Sequence, residues 1–168
     1  MSDRRTLRDI RQAYEGMKND YQLNVGQWAA WFRFNAAATT MDPTYDTGPQ
    51  RTWYPPITLP VLIGEYVRAG QNFDDDGLYQ LDRLHLIFSF NQFFSTTMPD
   101  PDPFGQDHVN DRVGFDGRLF SVNTFLPRGR VADYFLTVSV DCLAMTQSDL
   151  DEDTAIPMFA PYAAGADG

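Results

Sequence analysis

The sequence predicts a mainly β fold: a small antiparallel β-barrel or sandwich of about six strands, with one N-terminal helix and long loops. Three observations predict it. Between Asp111 and Met145 apolar and polar residues alternate with the period of a half-buried strand. Aromatic residues make up 14% of the chain, with thirteen Phe, eight Tyr and three Trp, and rings pack well between sheets and at subunit contacts. Eleven Pro and twelve Gly interrupt the chain too often for a helical bundle.

At 168 residues the chain is long enough for one domain with a real core and too short for two comfortable ones. Its formal charge is −10 and its pI about 4.4. A binder of duplex nucleic acid needs a concentrated basic patch, and thirteen Lys and Arg scattered among acidic residues do not promise one. The acidic balance fits a partner with a basic face, or a surface that must repel nucleic acid. The one cysteine, Cys142, excludes an intrachain disulfide. The opening MSDRRTLRDIRQ is charged where a secretory signal is apolar, and no run reaches membrane-spanning length. A product of the cytoplasm, with no membrane partner, is expected.

The elements follow in order. Residues 4–22 read as a helix, because Leu7, Ile10, Tyr14, Met17 and Tyr21 fall three and four apart. Its other face carries Arg4, Arg5, Arg8, Arg11 and Lys18, which reads as a solvated face, or else as a dock for an acidic neighbour or DNA. Gln27–Asn35 is the first strand. Its two Trp, Trp28 and Trp31, lie on opposite faces, so both faces should be covered, one by core and the other by the helix or a neighbouring subunit. Ala36–Pro56 is a connection too long for a routine hairpin, and such loops are usually functional or ordered by a partner.

Ile57–Ala69 is a second strand in which Pro60 marks an edge or bulge. Gln71–Gly77 is an acidic turn, Leu84–Phe94 a third strand, and Thr96–Gln106 a Pro-rich loop that cannot pair as strand. In Phe115-Asp116-Gly117-Arg118, Asp-Gly supplies the two positive-φ residues of a tight hairpin. A strand, a longer loop and a final strand from Tyr134 follow, the last placing Leu136, Val138, Val140 and Cys142 on one face. The organisation is therefore a helix at 1–25, a β domain at 26–145 and an irregular tail at 146–168.

No catalytic, cofactor or metal site emerges. Asn72-x-Asp74-x-Asp76-Gly77 imitates half of a calcium loop, but its twelfth position is Arg83 instead of a bidentate Glu. His85 and His108, even with Asp107 or Asp111, lack the paired spacing of metal sites. Cys142 alternates with Val140 and reads as a small core residue. An enzyme is not expected.

The order of several motifs resembles phage head-closure proteins, the head-to-tail stoppers of tailed phages infecting actinobacteria. The chain has a Trp- and Phe-rich first strand, then Asp42-Pro43-Thr44-Tyr45-Asp46-Thr47-Gly48, then Arg51-Thr52-Trp53-Tyr54-Pro55-Pro56. An Asp-x-Val element, a Gly turn and a long alternating strand follow at Asp111–Met145, so the likeness covers most of residues 26–145. The resemblance implies a structural virion protein forming a homo-oligomeric ring, a hexamer or dodecamer, in the neck between capsid and tail. Such a ring closes the portal after DNA packaging and offers the tail a docking surface. Its implied partners are the head-tail adaptor on one side, the tail terminator or tail tube on the other, and genomic DNA passing non-specifically through the channel.

By that similarity Asp42, Tyr45, Asp46, Arg51 and Trp53 are candidates for a channel or adaptor-contact loop, against the alternative of a loop packed on its own barrel. Asp74, Asp75 and Asp76 are candidates for an acidic lumen patch, against a merely solvated turn. The competing functions are a tail terminator and a small ligand-binding β-barrel.

Overall fold

The computed structural model describes residues 2–17, 19–20, 26–39, 51–68, 82–95, 108–131, 134–145 and 157–163. Helix α1 spans Ser2–Met17. Strands β1 (Trp28–Phe32), β2 (Ile57–Pro60), β3 (Ile63–Val67) and β4 (Arg83–Ser89) follow, and then helix α2 (Phe90–Ser95). Strands β5 (Arg112–Phe115), β6 (Arg118–Val131) and β7 (Tyr134–Ala144) complete the sheet. A 3-10 turn at Pro157–Phe159 leads into the short helix α3 (Ala160–Ala163).

All seven strands belong to one antiparallel sheet of order β2-β1-β5-β6-β7-β4-β3. The mainly β class and the N-terminal helix are as expected. The closed barrel or two-sheet sandwich is not what forms: the sheet stays open, with β2 and β3 as its edges. Yet these edges are separated in the chain by Val61 and Leu62 alone. The Val61 amide donates to Gln27 on the β1 side (2.9 Å), and the Leu62 amide to Ile87 on the β4 side (2.8 Å). One bent strand thus serves both edges, and the sheet must curl to bring them together. Pro60 sits at the bend, where its missing N–H costs no ladder bond.

The interior of the curl is the main core. Trp31, Leu84, Leu86, Phe88, Phe93, Phe120, Val122, Val138, Val140 and Cys142 are all buried there. Trp31 stands edge-on to Phe93 (4.9 Å between ring centroids) and to Phe88 (6.0 Å), the arrangement that ring quadrupoles favour. A second cluster on the opposite face of β1 contains Phe32, Trp53, Leu119, Met145 and Phe159. Both faces of β1 are covered, but Trp28 itself is exposed and the outer cover comes from the C-terminal segment instead of the expected N-terminal helix or neighbouring subunit. The cover on the outer face is Phe159 and Tyr162, which stand edge-on to Phe32 at 4.8 and 5.8 Å.

Three expectations are corrected. The tail is not irregular throughout: Pro157–Ala163 is helical, because burying Phe159 repays the ordering of a short segment. The third strand stops at Ser89, since Phe90, Phe93 and Phe94 are spaced three and four apart and turn as α2. No long loop follows the β5–β6 hairpin: β6 runs on to Val131 and pairs with β7 along its length, with a bulge between Val122 and Thr124. Helix α1 spans Ser2–Met17 and residues 19–20 are again helical, in π geometry, while residues 18 and 21–22 of the expected helix lie outside the described residues. The tight turn is as read, with Asp116 at φ 49° and Gly117 at φ 73°.

Candidate functional site: the clamped base of the 36–56 loop

The long connection leaves and re-enters the fold at one place. Phe34 and Trp53 form an antiparallel bridge. On either side of it the Asn35 amide donates to Thr52 (2.9 Å) and the Tyr54 amide to Arg33 (2.8 Å). The hydroxyl of Thr39 donates to the Asn35 carbonyl (2.7 Å) and accepts from the Thr52 amide (3.2 Å). The two strands of chain are therefore joined out to Thr39 on one side and Thr52 on the other.

A buried polar centre holds this base against the sheet. Asp111 is fully buried. Its Oδ1 accepts the Phe34 amide at 2.7 Å, and its Oδ2 accepts Trp31 Nε1 at 3.0 Å and lies 2.9 Å from His108 Nδ1. Three donors around one carboxylate offset the cost of removing its charge from water. His108 is buried as well, its ring 4.3 Å from that of Phe125. On the outer side Trp53 Nε1 donates to the Asn110 carbonyl (3.1 Å), and the Arg112 guanidinium lies 5.4 Å from the Trp53 ring. Trp53 also meets Phe159 at 5.1 Å and Phe34 at 5.8 Å.

Of the residues singled out in the sequence, Trp53 is buried and anchors the loop instead of offering itself to a partner. Arg51 is half-buried at the same base. Asp42, Tyr45, Asp46 and the acidic residues Asp74, Asp75 and Asp76 lie outside the described residues. Sequence reasoning missed Asp111 and His108 as a structural pair. The signal available was their i, i+3 spacing just before a strand. It also missed Phe159 and Tyr162, in a stretch with no period to mark it.

Among the described residues the remaining reactive side chains do not converge. Cys142 is buried, and burial, with the Asp141 carboxylate beside it, pushes its thiol far above the usual range. His85 and Asp141 pair across β4 and β7 on the outer face, at 2.6 Å. Among the described residues no three His, Cys, Asp or Glu side chains gather closely enough to hold a metal ion. No described helix is long and apolar enough to cross a membrane.

Compared with protein-family models the chain matches none, and no curated protein matches it either.

Proposed function

We propose that this chain is a structural subunit of a phage neck, a stopper that assembles as a ring below the portal and adaptor, retains packaged DNA and receives the tail. The observation that carries the reading is the clamped loop base. The loop that carries two of the motifs resembling stoppers is closed at the Phe34–Trp53 bridge, and Trp53 of the Arg-x-Trp-x-Pro-Pro motif is the anchor. A loop rooted in a rigid core can present its tip reproducibly to an adaptor or a channel. The chain's charge of −10 adds to this, because a ring multiplies it by the copy number and gives DNA a wall that repels phosphate. The interior that a ligand-binding barrel needs for its ligand is filled by Trp31, Phe88, Phe93 and Phe120, which weighs against that alternative.

The test uses DNA-filled capsids that carry portal and adaptor but lack this chain. Adding the purified protein should stop DNA leakage and restore tail attachment. A variant with residues 40–50 replaced by a short Gly-Ser linker should keep its melting temperature within a few degrees, since loop closure depends weakly on length, yet fail to rescue. Capsids that hold DNA and accept tails without the chain would overturn the reading.

A further inference from the structure

Strand β3 ends its sheet and carries exposed residues on both faces. Ile63, Tyr66 and Val67 stand 45%, 37% and 48% open to solvent, with Glu65 exposed among them. The other edge, β2, ends instead in buried Leu59 and Pro60. A Cβ on Gly64 would meet the Phe115 and Leu86 side chains. Gly64 and Tyr66 therefore face inward, and Ile63, Glu65 and Val67 outward.

Beside this edge β3 and the β5–β6 hairpin part to leave a slot of about 230 Å³, lined by Tyr66, Arg68, Phe115, Asp116, Arg118 and Phe120. That is several times the ~30 Å³ share of one water molecule. The Tyr66 hydroxyl donates to Asp82 and accepts from Arg118 (2.9 Å). Arg68 and Arg118 are thus offset by Asp116 and Asp82, and the three rings make the slot an apolar one. On the outer face the balance differs. Among the described residues Glu65 has no cation within ion-pair distance. His85, opposite it, lies 2.6 Å from Asp141, and Arg83 stands opposite Val67.

We propose that the free edge of β3 takes up an extended segment of another protein as an added strand, one whose outward residues read apolar, basic, apolar. A row of backbone groups with no strand beyond it among the described residues selects an extended chain over a helix or a nucleic acid. Ile63, Glu65 and Val67 set the outward pattern through cross-strand pairing. The slot receives an apolar side chain from the inward set. A second copy's β3 does not fit. Laid antiparallel along residues 63–67, it would set Glu65 against Glu65, and like charges directly opposite destabilise a strand pair. The contact is derived without the neck reading, and its assay contains no capsid, so either can fail alone.

The probe is the peptide SVLKTVS, acetylated and amidated, titrated into the full chain and followed by backbone amide NMR. It should bind with a Kd below about 1 mM and shift the amides of residues 63–68 and 115–120. The same peptide with Glu in place of Lys should bind roughly 2- to 30-fold more weakly, because the pair opposite Glu65 turns from attractive to repulsive. Glu65→Lys, at an exposed position, should reverse that order. Equal affinity for the two peptides, a preference that Glu65→Lys leaves unchanged, or shifts confined to other residues overturns the proposal. So does absence of binding at that concentration, the result expected if the chain covers this edge itself. Self-association that the peptide abolishes overturns it as well, because the edge would then belong to a second copy.

Discussion

Asp111 accepts from Trp31, His108 and the Phe34 amide with no exposure to solvent. Asp111→Ala leaves buried donors without an acceptor and should cost about 3–5 kcal/mol, read from the shift of the denaturation midpoint. Asp111→Asn keeps the shape and one acceptor and should cost less. A stable Asp111→Ala protein would mean that the base of the loop is held by its apolar contacts alone. Cys142 gives a pH dependence of known sign. Burial raises its thiol in the fold, so above about pH 8.5 the unfolded chain releases a proton that the folded chain keeps. That contribution is fully present below the unfolded value and is lost as pH rises. Wild type should therefore lose stability relative to Cys142→Ala in alkali, with a slope approaching about 1.4 kcal/mol per pH unit.

At the scale of elements, the helical segment at Pro157–Ala163 is secured by two rings. Phe159 is fully buried in the second cluster, and Phe159→Ala should cost about 3–5 kcal/mol. Tyr162 lies so close to β5 that a Cβ on Gly114 would stand 2.5 Å from its ring. Gly114→Ala must push that ring aside and should cost about 1–3 kcal/mol by thermal melting. Its amide exchange should quicken at 157–163 and along β1, while β4 and β7 stay protected. Uniform loss of protection would show that the segment does not open separately. The β5–β6 turn tests backbone strain instead of packing. Gly117 at φ 73° has no atom within 4 Å of an added Cβ, so Gly117→Ala should cost only the left-handed penalty of about 1–2 kcal/mol.

For the whole molecule the edges of the sheet decide the shape. Because β2 and β3 are consecutive, the bend at Val61–Leu62 controls the curl, and both residues are buried. Val61→Asp should unfold the chain, since an unpaired charge cannot be sustained in the interior. Thr58, exposed on the adjoining edge, should accept Asp with a change within about 0.5 kcal/mol. Circular dichroism and melting would separate the two outcomes. Exposed apolar residues on β3, namely Ile63 and Val67, leave exposed Glu65 as the charged guard within that edge strand.

The sequence by itself determined the β class, the Asp116–Gly117 turn, the apolar face of β7 and the edge role of Pro60, because each depends on period or on local backbone preference. Only the tertiary structure decided where Trp31 and Trp53 spend their polar atoms, that Phe90 begins a helix, and that Phe159 closes over β1. Those outcomes depend on partners distant in the chain: Trp31 with Asp111, Phe93 with Phe125, Phe32 with Phe159. The 36–56 loop was legible as a long connection, but its clamped base was not. A bridge between Phe34 and Trp53 follows from the buried carboxylate and the aromatic packing beneath it, which no local pattern records.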